Sequence, residues 1–356
     1  MHTLDNLARL GQLDQEKMLE SIALLPRQIE QAWADVKKIK LPASYKKINK
    51  VVINGMGGSG LGTHLIRSIY FKDLKIPLGN IHSYDLPGLV DKSTLYIISS
   101  YSGSTEEPIS TFKEAKRRGA QILGITAGGD LAELIQSGQI PGYIFEPRSN
   151  PCGQPRIGLG YSLAGLIGLL SKCGVLKVSD AEIKNALASL DRLNADFSPR
   201  TMLQKNEAKQ IADSLYGQIP IVIASEFLSG NAHVLANQLN ENAKNFSTYF
   251  LIPELNHHLL EGLTHPDSNR KNLRFLFLES KLYNNRNQKR FALTQEIAKQ
   301  NKIQTSNYSV LGRSPLEQSL TAILFGSYTS FYLAVLNGLD PSAIPYVDYL
   351  KKQLAK

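Results

Sequence analysis

Two short strings hold the residue types best suited to chemistry in this chain. Gly55-Met56-Gly57-Gly58-Ser59-Gly60 follows the apolar run Val51-Val52-Ile53, and Ser99-Ser100-Tyr101-Ser102-Gly103-Ser104-Thr105 follows Leu95-Tyr96-Ile97-Ile98. Glycine lets the backbone turn tightly, and hydroxyls bind an anion without adding charge. A turn that brings such donors to a helix N-terminus is suited to holding an anion, usually a phosphate. Two such turns in consecutive βα units imply one shared phosphate site. Other readings stay open. Gly55, Gly57 and Gly60 match the G-x-G-x-x-G dinucleotide fingerprint, although no acid closes the next strand, the nearest run (Ile81 to Asp85) lying about 25 residues on. No lysine stands in a Walker arrangement. Ser100, Ser102, Ser104 and Thr105, taken alone, could be an ordinary helix cap ahead of Glu106-Glu107.

The surrounding pattern says which elements carry these turns. Short β-branched runs alternate with helix-like segments from Lys50 onward. The first turn leads into a helix over Leu61 to Tyr70, and the second into a helix over Glu106 to Arg118 that Gly119 ends. Gln121 to Ile125 and Tyr143 to Phe145 read as further strands, and Tyr161 to Leu170 as a buried helix. Cys173 to about Arg200 is more polar and reads as a helical connector. The alternation then restarts, with strands at Ile219 to Ala224, Phe246 to Leu251 and Asn272 to Leu278. A helix runs from about Asn231 to Lys244, a long one from Pro315 to Asn337, and a terminal one begins at Val347. Residues 1–40 read as one or two amphipathic helices, with Leu4, Leu7, Leu10 and Leu13 at recurring spacing. The restart looks like a diverged internal repeat. The expected fold class is α/β, with two similar doubly wound parallel-sheet domains and extra N- and C-terminal helices. Residues 1–178 would form the first, phosphate-binding domain, and residues 195–356 the second. The site is expected near strand C-terminal ends.

Composition narrows the class. With 42% hydrophobic and 20% charged residues the chain matches a soluble globular protein. No uninterrupted apolar stretch approaches the ~18 residues of a membrane span, and the first 40 residues lack the apolar core of a signal peptide. Cys152 and Cys173 are too far apart for CxxC chemistry and too few for a zinc site. A cytoplasmic protein is the expectation. The net charge of +9 would suit nucleic acid or small anionic substrates. The basic residues are dispersed, apart from clusters such as Lys116-Arg117-Arg118, so a solvated surface is favoured over nucleic-acid binding.

The two turns resemble the phosphosugar loops of sugar isomerase (SIS) domains. The order of motifs along the chain is similar to that of the bifunctional phosphoglucose/phosphomannose isomerases, which have two such domains. Gln154-Pro155-Arg156, Asn240-Glu241-Asn242-Ala243-Lys244, Pro253-Glu254-Leu255-Asn256-His257-His258, and Asp340-Pro341 with Asp348-Tyr349-Leu350-Lys351 carry the likeness. It implies that Gly57, Gly58, Ser59, Ser100, Ser102 and Thr105 bind the substrate phosphate. It implies Glu241 as the base that moves a proton between C2 and C1 through an enediol, without metal or cofactor. It gives His257 and Lys351 to ring opening and Arg156 to the developing enediolate. In the family the histidine acts across a dimer interface, so a homodimer is implied. Ser104 stands where an asparagine is usual in such loops, and Ser342 where threonine is frequent.

Each residue also has a plainer reading. Glu241 could be a helix acid paired with Lys244 at i+3. Arg156 could clamp phosphate or lie on the surface, and Lys351 could be an ordinary surface lysine. His257 and His258 beside Glu254 and Glu261 also admit a metal reading, but adjacent side chains rarely converge on one ion. The implied function is interconversion of glucose 6-phosphate, and of mannose 6-phosphate, with fructose 6-phosphate. The rival from another class is a non-catalytic SIS module that senses a phosphosugar, which would need a DNA-binding helix pair that residues 1–40 do not suggest. An amidotransferase-type aminosugar synthase would need a glutaminase domain. No nucleic-acid or membrane partner is expected.

Overall fold

A computed structural model of the protein describes residues 2–354. Its framework is two parallel sheets. The first contains β1 (Lys50–Asn54), β2 (Leu78–Ile81), β3 (Thr94–Ser99), β4 (Gln121–Thr126) and β5 (Gly142–Ile144), in the order β2-β1-β3-β4-β5. The second contains β6 (Ile219–Ser225), β7 (Thr248–Ile252), β8 (Leu273–Glu279) and β9 (Gln304–Ser309), in the order β7-β6-β8-β9. Every pairing is parallel, with Val52 opposite Tyr96 in one sheet and Val222 opposite Leu276 in the other. Both sheets follow the same path: the first strand has its successor on one side and the third strand on the other. The strand order therefore reverses between β1 and β3, and again between β6 and β8. At such a switch point the loops leaving the strand C-termini diverge and leave a crevice.

The apolar runs became the central strands because helices cover both faces. All six residues of β3 are buried. The two sheets are joined through their first helices, Gly58–Ile69 and Ser229–Glu241, which pack together. Gly230 makes the approach close: a Cβ there would lie 2.7 Å from the His64 carbonyl oxygen. Leu61, Leu65 and Ile66 on one helix and Val234, Leu235 and Leu239 on the other are buried, each such side chain contributing about 1.5–3 kcal/mol.

The Pro315–Leu336 helix starts at Ser314, whose side chain accepts from the Glu317 N–H. Its mean hydropathy of 1.5 over an 18-residue window would suffice for a membrane span, yet 94% of that window is buried inside the protein. Ser, Thr, Gln and Tyr residues interrupt its apolar positions, and it serves as the core helix against which the Asp180–Phe197 and Glu207–Leu215 helices pack. The polar stretch after Cys173 is therefore more than a connector: Asp180–Phe197 begins in a Ser179/Glu182 capping box and buries Ile183, Leu190 and Phe197.

Other differences from the sequence reading are local. Residues 2–40 form three α-helices, Leu7–Leu13, Met18–Ala23 and Leu25–Lys38, and Leu7 is exposed while Leu4 and Leu10 are buried. The Glu106 helix is interrupted at Thr111, whose hydroxyl bonds the Pro108 carbonyl and the Tyr96 hydroxyl. β9 and the Asn285–Gln300 helix were not anticipated.

Candidate active site

The two glycine- and hydroxyl-rich turns leave the C-terminal ends of the adjacent strands β1 and β3, at the switch point. Gly57, at φ +48°, precedes the helix that Gly58 opens; the Ser59 and Gly60 N–H groups close the turn onto the Met56 and Gly57 carbonyls (3.0 Å each), which leaves the Gly57 and Gly58 N–H groups as the turn's donors for a ligand. The turns are tied to each other: the Tyr101 N–H donates to Ser59 Oγ (2.9 Å), and Ser99 Oγ donates to the Ser59 carbonyl (2.9 Å). Within the second turn Ser100 Oγ lies 2.8 Å from Thr105 Oγ1 and accepts from the Gly103 N–H. Ser102 is exposed at the tip. Gly103 sits at φ +77°, where a Cβ would fall 1.7 Å from the Gly128 oxygen. Ser104 reads as a turn former only; a Cβ on Gly129 would lie 2.5 Å from its hydroxyl.

The first turn abuts the segment carrying Arg156. A Cβ on Gly58 would lie 2.9 Å from the Arg156 backbone nitrogen. Arg156 is 3% exposed, which removes the surface reading. Its Nε donates to Asn242 Oδ1 (2.7 Å), Nη1 to Gln154 Oε1 (2.7 Å), and Nη2 to the carbonyls of Pro341 (3.1 Å) and Ser342 (2.8 Å). A guanidinium has five N–H donors, so the protein engages four and leaves one on Nη1. Arg156 thus ties the 154–156 loop to the end of the second sheet's first helix and to the 340–342 turn.

Glu241 is the last residue of that helix, and its carboxylate stands 3.9 Å from Arg156 Nε. Burial pushes its carboxyl group up from the ordinary glutamate value, while the charges of Arg156, Lys244 and Lys351 pull it down. The helical ion pair with Lys244 is not formed. Instead Lys244, at φ +49°, donates through Nζ to the carbonyls of Asn242 (3.1 Å) and Asp340 (2.5 Å). Burial, reinforced by Arg156, pushes its amine down to about 8. Lys351 lies on the exposed Pro345–Leu354 helix, close enough for its charge to act on Glu241 but without an ion pair to it among the described residues.

The structure therefore brings together the two turns, Arg156 and Glu241, with the charge of Lys351 acting on Glu241 from the exposed terminal helix. It does not bring His257 into this group. His257 is exposed on the Leu255–His258 turn after β7, and no hydrogen bond joins its ring to the cluster among the described residues. His258 points its ring at Phe250, with centroids 5.9 Å apart. No three His, Cys, Asp or Glu side chains among the described residues gather as a metal-binding group. Cys152 and Cys173 are buried free thiols.

Three residues in this network carried no role in the sequence reading. Gln154 and Asn242 hold the Arg156 fork. Tyr101 OH accepts from Asn150 Nδ2 (2.8 Å), which also donates to the Gln154 carbonyl, so the second turn braces the Arg156 segment. Each of the three lies within one of the strings singled out above, but no feature of those strings gave it a role.

The site can be set beside known proteins. The chain is 35% identical over 349 residues to a bifunctional phosphoglucose/phosphomannose isomerase of Caldicellulosiruptor bescii, covering 95% of this chain and 99% of that one. The chain belongs to the bifunctional phosphoglucose/phosphomannose isomerase family. A relative of the same name in Thermoplasma volcanium is 33% identical over 329 residues, covering 89% of this chain and 96% of that protein. The family described as bacterial phospho-glucose isomerase C-terminal SIS domain matches residues 204–354. Among solved structures, the fold is similar to the C-terminal domain of glucosamine-fructose-6-phosphate aminotransferase from Francisella tularensis (TM-score 0.67, 14% identity, 91% of this chain and 97% of that one). It is also similar to a glucose-6-phosphate isomerase like protein from Thermus thermophilus (TM-score 0.60, 15% identity, 99% of each chain). Membership of the bifunctional isomerase family makes this chain an isomerase, and the non-catalytic sensing module is not favoured.

Proposed function

We propose that this isomerase interconverts glucose 6-phosphate and mannose 6-phosphate with fructose 6-phosphate, through an enediol and without metal or cofactor. The observation that carries the reading is the continuous contact from the phosphate-type turns through Gly58 and Arg156 to Glu241. A phosphate held at the β1/β3 crevice by Gly57, Gly58, Ser59, Ser100, Ser102 and Thr105 anchors the substrate away from the reacting carbons. Glu241 takes the proton from C2 of the open aldose and returns it to C1. Its raised pKa suits a base that must also give the proton back. The remaining N–H of Arg156 and its fixed charge stabilise the enediolate, which is more negative than the neutral sugar carbon framework that precedes it. Lys351 and His257 exchange the proton needed to open the ring.

His257 belongs in this scheme only if it comes from a second copy, so the reading includes a homodimer. Support comes from the Pro345–Leu354 helix, which carries Lys351, buries no residue within the chain, and leaves Tyr346, Tyr349, Leu350 and Leu354 exposed. A cytoplasmic location goes with a phosphorylated substrate. The test is a coupled assay of fructose 6-phosphate formation from both aldoses, with and without chelator. Turnover of both that survives chelation is expected. Turnover of neither would return the sensing module, and loss on chelation would contradict a metal-free mechanism.

A further inference from the structure

A hydrogen-bonded chain behind the first turn has no part in the scheme above. His82, just after β2, places Nδ1 2.6 Å from the Gly55 carbonyl oxygen. Its ring also lies against the turn, since a Cβ on Gly60 would come within 2.8 Å of His82 Cε1. Asn80, within β2, sets Nδ2 3.0 Å from His82 Nε2 and 3.0 Å from His64 Nε2. His64 belongs to the helix that the turn opens.

The proton positions follow from what each group can do. A carbonyl only accepts, so His82 Nδ1 carries the proton and donates to Gly55. In the neutral ring Nε2 then accepts, and the partner facing it must be the Asn80 amide. That NH2 group has two hydrogens, and the second serves His64 Nε2. Burial and the neighbouring His233 and His82 push His64 down to about 4, which keeps it a neutral acceptor. The chain thus has one direction, from the Asn80 amide through His82 to the Gly55 carbonyl. Asn80 itself is held by β-ladder pairing, opposite Ile53 at the end of β1.

We infer that Asn80 and His82 are positioning residues that fix the first turn in its phosphate-receiving conformation. Gly55, Gly57, Gly58 and Gly60 make that turn intrinsically loose, because glycine populates many backbone states. Orienting the Gly55 peptide by a side-chain donor just beyond the neighbouring strand removes that freedom before the phosphate arrives, so less ordering is left for binding. His82 is exposed, so its removal opens no core cavity and the effect falls on the turn. The inference rests on the phosphate site proposed above.

The experiment compares His82→Ala, His82→Asn and Ser102→Ala by steady-state kinetics on fructose 6-phosphate, by competitive inhibition with inorganic phosphate, and by melting temperature. His82→Ala is expected to raise both KM and the phosphate Ki roughly tenfold, the scale of one ordering hydrogen bond, with a smaller change in kcat. His82→Asn keeps a donor near the Nδ1 position and is expected to recover most of the loss. If His82→Ala does not fold, Asn80→Ala reads the same split. Unmoved KM and Ki in a folded His82→Ala enzyme, while Ser102→Ala weakens phosphate, would overturn the positioning role and leave the phosphate site standing. A His82→Asn enzyme no better than the alanine variant would overturn it too. Unmoved Ki in Ser102→Ala as well as His82→Ala would remove the phosphate site and the positioning role together.

Discussion

The Glu241 carboxylate lies 3.9 Å from Nε of Arg156, yet Nε donates to Asn242 and not to Glu241. The distinction matters. A carboxylate tightly paired with a guanidinium would be a poor base, whereas one beside a cation that is bonded elsewhere keeps its lone pairs for substrate. Burial raises the pKa of Glu241 and the nearby charges moderate the rise, an arrangement that fits the proton transfer proposed for it.

The pH profile should report this arrangement. In the proposed mechanism Glu241 acts in its charged form, and its pKa is raised, so kcat/KM should fall on acidification through a limb above that of an ordinary glutamate. Lys244→Met removes one of the cations holding that pKa down and should move the limb to still higher pH. Because the Lys244 amine is pushed down to about 8, wild type and variant should converge above that pH, where the lysine is neutral. An acid limb that stays put, or moves down, in Lys244→Met counts against the electrostatic assignment.

Arg156→Lys should be poorly tolerated despite the retained charge. Lysine offers three donors from one atom and cannot serve Asn242, Gln154 and the two carbonyls of the 340–342 turn together. Leaving such buried groups unpaired costs about 3 kcal/mol, readable as a lower midpoint in urea. The charge is no longer held in place and the remaining Nη1 N–H is gone, which should weaken enediolate stabilisation and lower kcat by roughly 10²-fold. A variant with wild-type midpoint and kcat would show that the fork is dispensable.

These same contacts explain what could be read from sequence. The central strands were legible because helices cover both faces and every position is apolar, as in Leu95-Tyr96-Ile97-Ile98. β9 was not, because Gln-Thr-Ser-Asn-Tyr-Ser pairs only with β8 and buries just Ser306 and Tyr308. The Asn285–Gln300 helix escaped for a related reason: it is largely polar and buries only Phe291, Thr294 and Ala298. At the site, the turns announce themselves within a few residues. The Arg156 network does not, since its partners stand as many as 186 positions away, and no local pattern encodes such a contact. The family likeness supplied the residues; their connections came from the fold.

Gly103→Ala should damage the second turn from within. Its φ of +77° disfavours any side chain, and the new methyl would collide with the Gly128 carbonyl. The expected outcome is a higher KM and a phosphate Ki raised about tenfold, with a lower melting temperature. Unchanged phosphate affinity would show that this turn does not hold the anion.

Complementation tests whether His257 works across an interface. On the proposed dimer, the His257→Ala and Glu241→Gln enzymes should each be nearly inactive. Subunits mixed after reversible dissociation should form hybrids that hold one intact site, recovering about a quarter of wild-type activity if pairing is random. No recovery, with hybrids shown to form, would place the histidine within its own subunit or outside the mechanism.

The most direct measurement is the turnover of Glu241→Gln on fructose 6-phosphate, with inorganic phosphate inhibition measured in parallel. Glutamine keeps the size of the side chain and removes its basicity. The account predicts that kcat falls at least ~10²-fold while the phosphate Ki and the substrate KM stay near wild type. A variant that turns over at the wild-type rate would contradict Glu241 as the residue that carries the proton between C2 and C1.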